Sequence, residues 1–195
     1  MLLTLPEYEL QAEVAHGHLC AGQVLGLRMA LYGLRLLGLD DPRGRDRKRL
    51  VTFVEIDRCA TDAVGVVTGC RLGKRALKFR DFGKMAATFC DLQANRAVRV
   101  AARESAKDRA RELFPGIENR NQQQMAAYRT MTDDELFGTQ WVRVHVGAED
   151  LPGYKGPRVV CQGCGETVNF GRELRSGGRI LCRACAGERY YEAAE

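Results

Sequence analysis

The stretch HGHLCAGQVLGLRMALYGLRLLG, residues 16–38, places two histidines and a cysteine directly before a long apolar run. Small residues recur in the run at spacings of three and four, so they share one face of a predicted helix: Gly22, Gly26, Ala30 and Gly33. The other faces are apolar except for Arg28 and Arg35, which predicts burial in a core or a subunit interface. Because glycines weaken helices, we expect another element to pack closely along the small face.

The composition is that of a folded globular protein. The chain has 195 residues, 45% hydrophobic and 28% charged, enough for one domain and a small appendage. Arg28 and Arg35 argue against a membrane span over residues 21–39, and the first 17 residues lack the basic flank and apolar block of a secretory signal. We therefore expect a cytoplasmic protein without a membrane segment. The net charge of +5 permits a nucleic-acid partner but does not require one.

The pattern after residue 49 predicts an α+β layer with a mixed sheet. A short helix, capped by Thr61 or Asp62, follows the first strand, and residues 104–137 are helical with a break at Pro115-Gly116. The predicted strands are LVTFVEID (50–57), ALKFRDF (76–82), MAATFCDL (85–92), AVRVAAR (97–103) and WVRVHV (141–146). Glycines and prolines in GAEDLPGYKGP predict a linker over 147–157 between an α+β domain, 1–146, and a segment at 158–195.

The last segment carries a four-cysteine pattern that predicts a zinc site. Its members are spaced Cys-x2-Cys-x17-Cys-x2-Cys: Cys161, Cys164, Cys182 and Cys185. Four thiolates close the coordination sphere, so the zinc is expected to be structural. A terminal helix over ACAGERYYEAAE, residues 184–195, would make the segment a treble clef rather than a zinc ribbon. Six arginines against three glutamates between residues 158 and 190 permit nucleic-acid contact, but a protein-docking role is favoured.

A second metal site is predicted near the first residues quoted. His18 and Cys20 precede the long helix, while Cys59 and Cys70 bracket the predicted short helix. Imidazole and thiolate both suit zinc, and three protein ligands would leave one position open for water or substrate. The alternative is that these cysteines are simply buried, and that Cys20 only begins a helix.

These segments also resemble a known family. HGHLCAGQVLGLRMA, DRCATDAVGVVTGCRLGKRAL and RDFGKMAATF are similar to motifs in the family of the E subunit of formylmethanofuran dehydrogenase, over about residues 10–146. The terminal zinc finger matches the two-domain members. The resemblance implies an α+β core with a five-stranded mixed sheet, sometimes described as thioredoxin-like, a treble-clef finger, and a metal-binding active site. It assigns that site to His18, Cys20, Cys59 and Cys70, with His16 in reserve.

Further polar residues of these motifs are candidates for catalytic roles. A lysine would bind an anion, and an aspartate would act as a base or orient a ligand. The candidates are Asp57, Asp62, Lys74, Asp81 and Lys84. The simpler interpretation makes Asp62 a helix cap and places Asp81 and Lys84 in turns, Cys90 in the core and His145 on a strand surface.

The favoured hypothesis is a zinc-binding, homodimeric accessory or enzyme-like protein. Whether it is an enzyme is left open: it would be a metal-dependent enzyme or an accessory subunit of a molybdenum or tungsten oxidoreductase. Nothing in the chain resembles the pterin subunits, so catalysis of formylmethanofuran oxidation by this chain alone is not expected. The alternatives are a non-catalytic docking protein or regulator, which uses its finger to bind protein or nucleic acid, and a thiol redox protein.

Overall fold

The computed structural model describes residues 1–192 and 194 of the chain. They form two compact units, Met1–His145 and Val146–Glu195. The helices of the first unit are α1 (Leu5–His16), α2 (Ala21–Leu37), α3 (Cys59–Thr68), α4 (Ser105–Leu113), α5 (Arg120–Thr130) and α6 (Asp133–Leu136). Its strands are β1 (Leu50–Val54), β2 (Leu77–Phe79), β3 (Ala86–Asp91), β4 (Arg96–Ala102) and β5 (Phe137–Val142).

The five strands form one mixed sheet in the order β2-β1-β3-β4-β5. β1 and β2 are parallel, and the crossover between them contains α3, as a parallel connection requires. The other neighbours are antiparallel. The predicted α+β fold with a five-stranded mixed sheet is thus confirmed.

Helix α2 lies in the centre of the unit and packs on α3 and on the sheet. Other elements pack closely against its face of small residues, as the spacing predicts. A Cβ at Gly26 would lie only 2.5 Å from the carbonyl oxygen of Ala60 in α3, and one at Gly33 would lie 2.2 Å from the ring of Phe89 in β3. The helix is therefore core rather than surface, and close packing offsets the low helix propensity of its glycines.

Several boundaries differ from those predicted. β5 is Phe137–Val142 rather than 141–146, because α6, capped by Thr132, ends directly at the buried Phe137. The N-cap of α3 is Arg58, and Thr61 instead donates its hydroxyl to the carbonyl of Ile56. α1 had no counterpart among the predicted helices, although Pro6 and a capping box between Thr4 and Glu7 mark its start.

The second unit consists of two small hairpins and a helical turn. The hairpins pair β6 (Arg158–Val160) with β7 (Thr167–Asn169) and β8 (Leu174–Ser176) with β9 (Arg179–Leu181). The helical turn, Ala184–Glu188, is shorter than the predicted terminal helix and contains Gly187 in a left-handed conformation, φ 109°. Residues 193 and 195 of that prediction lie outside the described residues. Within the described chain, no helix has the length and apolarity to cross a membrane.

Candidate metal centres

The four cysteines of the second unit converge on one point. Their sulfur atoms all lie within 4.8 Å of one another, in the set Cys161, Cys164, Cys182 and Cys185. The backbone N–H groups of Gly163 and Cys182 donate to the Cys161 sulfur, at 3.3 and 3.1 Å. A Cβ at Gly163 would lie 2.9 Å from the Cys185 sulfur, so the turn between the first two cysteines requires glycine. The arrangement brings four soft ligands together at the ends of two hairpins.

Contacts within this cluster shift the pKa values of two of its thiols in opposite directions. Hydrogen bonds from the N–H groups of Cys182 and Cys164 lower the pKa of Cys161 to about 6. The pKa of Cys185 is raised to about 12, mainly by its hydrogen bond with the Cys182 thiol and to a smaller extent by burial. Four thiolates this close together repel one another unless a cation neutralises them, and a tetrahedral zinc ion does so. The donor set fits zinc and leaves no open position, which makes this centre structural.

In the first unit, the starts of α2 and α3 bring two cysteines side by side. Cys20 is the N-cap of α2, and Cys59 is the first residue of α3. A Cβ at Gly22 would lie 3.4 Å from the Cys59 Cβ and 3.8 Å from the Cys20 sulfur. Burial, and then the hydrogen bond and charge of Cys20, raise the pKa of Cys59. The pair therefore has the proximity of two ligands to a common ion.

Two histidines precede Cys20 in the chain. His16 is the last residue of α1, and Gly17 ends that helix in a left-handed conformation, φ 92°. The rings of His16 and His18 are 5.0 Å apart, and the Nδ1 of His16 lies 2.8 Å from a carboxylate oxygen of Asp62 in the first turn of α3. Asp62, three residues after Cys59 in α3, thus orients the imidazole of His16, a role common next to metal sites.

Cys70 lies apart from this group. It follows the far end of α3, a ten-residue helix that is about 15 Å long at 1.5 Å per residue. Its thiol is buried, accepts a hydrogen bond from Thr52 at 3.5 Å, and has its pKa raised by that burial. The four sequence-predicted ligands are therefore not brought together. In the described chain, the zinc-finger cysteines are the only group of three or more potential ligands whose atoms lie within 4.8 Å of one another.

The other candidates occupy different places. The side chains of Asp57, Lys74 and Lys84 are exposed, and Asp81 accepts the N–H of Gly83 in a turn. Cys90 is buried in β3, where burial raises its pKa to about 12, while His145 is exposed. One residue beside the site had no sequence signal.

That residue is Asn121, in the first turn of α5. Its side-chain oxygen accepts the N–H of Ala21 at 2.8 Å, directly after Cys20. It joins the start of α5 to the start of α2 across 100 positions of sequence, which no local pattern reveals.

Residues 15–138 match the family described as "FmdE, Molybdenum formylmethanofuran dehydrogenase operon", which spans more than half of the chain. The chain belongs to the FmdE family. Residues 154–191 match the "Prokaryotic dksA/traR C4-type zinc finger", in agreement with the four converging cysteines. The protein is thus a zinc-binding, FmdE-like protein with a finger after the FmdE domain.

Two known proteins are similar to this FmdE chain over most of its length. A protein of Archaeoglobus fulgidus, named "Probable S-adenosyl-L-methionine-binding protein", is 30% identical over 200 residues, covering 93% of this chain and 53% of that one. The chain therefore spans about half the length of this curated relative. The crystal structure of an FmdE-like protein of Syntrophus aciditrophicus, named after tungsten formylmethanofuran dehydrogenase, superposes with a TM-score of 0.65. It is 18% identical and covers 97% of this chain and 96% of its own, and so shares the fold.

Proposed function

We propose that the FmdE domain carries a second metal site, and that the protein acts as a metal-dependent accessory or enzyme-like subunit. The ligands are Cys20, Cys59 and His18, and His16 supports them through its contact with Asp62. The observation that carries the proposal is the pairing of Cys20 with Cys59 at the starts of two helices, on either side of Gly22.

The surroundings of the pair suit a divalent cation. Two sulfur ligands and an imidazole form a mixed set that zinc binds readily. His18 is exposed and adjoins Gly17, so its ring has room to turn toward the cysteines. Cys70, which the sequence and the family resemblance had included, is left out of this set, since its thiol is buried at the other end of α3.

Three protein ligands leave a coordination position open, and zinc bound there would polarise a carbonyl group or activate water. In this arrangement Cys20 and Cys59 are ligands rather than free nucleophiles. The carboxylate of Asp62 accepts a hydrogen bond from Nδ1 of His16, which fixes the orientation of that ring. The exposure of His18 keeps the site open to solvent and substrate.

The family description and the name of the structural relative support an association with a molybdenum or tungsten enzyme. We propose that the chain serves such an enzyme as an accessory subunit, and that it forms a homodimer. The catalytic oxidation itself would belong to the partner, because four-cysteine and cysteine–histidine sites of this kind bind zinc, which has no redox chemistry.

Metal content tests the second site. The zinc-saturated protein, after removal of loosely bound metal, should contain two zinc ions per chain by plasma emission spectrometry. Cys59→Ala and Cys20→Ala should each lower the content to about one ion per chain, because two ligands do not retain zinc as three do. Cys70→Ala is the matched control and should keep two ions, since its thiol lies at the far end of α3.

The circular dichroism spectrum of each variant shows whether it is folded, so that loss of metal is not confused with loss of structure. One zinc per chain in the wild-type protein would refute the second site. A Cys70→Ala variant that loses an ion, while Cys59→Ala retains both, would refute the ligand set.

A further inference from the structure

A cavity of about 310 Å³ opens in the first unit at the edge where β3 begins and β4 ends. Its floor is apolar and buried, and consists of Leu25 of α2, Ala86 of β3 and the ring of Tyr128 of α5. Met85 adds a half-buried side chain. The size is at the small end of the range for ligand pockets, which are largely apolar with a few polar groups.

The rim of the cavity is basic. Four cationic side chains line it, against one carboxylate: Lys84, Arg99, Arg103 and Lys107, with Glu104. Arg99 is neutralised by Glu55 through two hydrogen bonds of 2.7 Å, and Lys107 pairs with Glu104. Two positive charges therefore remain in excess, those of Lys84 and Arg103.

The two uncompensated groups differ in how they are held. Arg103 donates through Nε to the backbone carbonyls of Asp134 and Phe137, at 2.9 and 3.0 Å, which fixes its guanidinium without cancelling its charge. The ammonium of Lys84 contacts no carboxylate in the described chain, although its backbone N–H donates to the carbonyl of Glu55. The cavity thus has one fixed and one adjustable cation.

A buried tyrosine completes the set. Tyr128 is 2% exposed and lines the cavity. Burial, and then the charge of Glu104, raise the pKa of its hydroxyl, so that it is a neutral donor at pH 7. Because Tyr128 lines the cavity, a ligand bound there would meet a tyrosine that can donate a hydrogen bond to an oxyanion.

We propose that this cavity binds a small molecule that carries an oxyanion, a carboxylate or a phosphate, through Lys84, Arg103 and the hydroxyl of Tyr128. The apolar part of the ligand packs on Leu25 and Met85. The first turn of α4 contributes Lys107 to the rim, and the start of a helix favours a nearby anion. Neither Cys20 nor Cys59 lines the cavity, so the proposal does not depend on the metal site.

Calorimetric titration of the full chain with inorganic phosphate, phenyl phosphate and hexanoate tests the proposal. Saturable binding of at least one probe is expected, and the preferred headgroup distinguishes phosphate from carboxylate. Lys84→Met should weaken that binding by about tenfold, because one charge-assisted hydrogen bond is lost, and Tyr128→Phe should weaken it severalfold. Glu104→Gln should strengthen it severalfold, because Lys107 is released and a repelling charge is removed.

The matched control is Lys74→Met, which removes an exposed lysine outside the cavity and should bind the probe as the wild type does. Cys59→Ala should also bind normally, so failure of the metal site and failure of this site are distinguishable. The proposal is overturned if the wild type binds none of the three probes. It is also overturned if Lys84→Met and Glu104→Gln bind with unchanged affinity, since Lys84 is exposed and its loss does not threaten the fold.

Discussion

At Gly26 the backbones of α2 and α3 come so close that a methyl group would collide. A Cβ there would lie 2.5 Å from the carbonyl oxygen of Ala60 and 2.7 Å from its Cα. Neither atom belongs to a side chain that can rotate away. Ala60 follows Cys59 in the chain, so the absence of a side chain at Gly26 is what allows Cys59 to approach Cys20.

We therefore predict that Gly26→Ala lowers the free energy of unfolding by about 1–3 kcal/mol, the usual cost of overpacking. Gly22→Ala is the control on the same face. Its Cβ would meet the Cys59 Cβ at 3.4 Å, an ordinary contact, and alanine gains roughly 0.5–1 kcal/mol of helix propensity. Urea unfolding of the zinc-loaded protein, followed by far-ultraviolet circular dichroism, measures both. Equal stability of the Gly26→Ala variant and the wild type would contradict the close approach.

Residue types and residue contacts were predictable to different degrees. Cys20 and Cys59 were candidate ligands because Cys20 precedes the predicted long helix and Cys59 precedes the predicted short one, and they lie together. Cys70, which follows the same short helix, was an equally good candidate from the sequence, yet its thiol contacts the hydroxyl of Thr52 in β1. Sequence shows that a cysteine precedes or follows a helix, but which end of the helix meets a second element depends on packing.

Between elements, Arg28 of α2 joins three parts of the chain. Its guanidinium donates to the carbonyls of Tyr128 and Met131, at 2.6 and 2.9 Å, and to the carboxylate of Asp133 at 2.9 Å. Arg35, one heptad later, also contacts Asp133. The two arginines of the otherwise apolar helix α2 thus bind the end of α5 and the start of α6.

The two arginines should contribute unequally. Arg28 is 14% exposed in its side chain and satisfies carbonyls at the end of α5, so Arg28→Met should lower the free energy of unfolding by about 2–3 kcal/mol. Arg35 is 61% exposed, and Arg35→Met should cost less than about 1 kcal/mol. Chemical denaturation midpoints of the two variants give the comparison. If the Arg35→Met variant is the less stable of the two, the larger contribution assigned to Arg28 is wrong.

The order of helices and strands followed from local patterns, but some boundaries did not. The fifth strand begins four residues earlier than predicted because Phe137 is 1% exposed and stacks on Tyr32 of α2. Alternation over 141–146 was a true strand signal only in part, since exposed Trp141 lies within β5 while His145 lies beyond it. The burial of Phe137 in the tertiary structure therefore decides where the pairing of β5 with β4 begins.

Across the molecule, the two units differ in what holds them. The first has a large apolar core around α2, whereas Cys161 is the only buried residue of the second unit within the part of the chain that is described. A unit with so little buried apolar surface cannot fold on the hydrophobic effect alone. Its stability depends on the metal.

Removal of zinc should therefore unfold the second unit selectively. A high-affinity chelator is expected to abolish amide hydrogen-exchange protection in residues 158–181, the two hairpins, while β3 and β4 in the first unit keep theirs. Exchange followed by mass spectrometry reports both units in one sample, so the first serves as internal control. Hairpins that stay protected after zinc has been removed would contradict the dependence on metal.

Some predictions for the whole protein remain predictions. The linker at 147–157, the homodimer and a docking or regulatory role of the finger are among them. The six arginines of the finger between residues 158 and 190 are all exposed, which is compatible with either a protein or a nucleic-acid partner.

The sequence by itself determined the features that depend on short spacing. Two Cys-x-x-Cys pairs specify a zinc finger because each pair needs only a local turn, and the small and apolar positions of residues 20–37 specify a buried helix that Cys20 begins. Only the tertiary structure decided that Cys59 meets Cys20, that Cys70 does not, and that Lys84, Arg103 and Tyr128 surround one cavity. Those contacts join residues far apart in the chain, and they follow from how closely helices and sheet pack rather than from any local pattern.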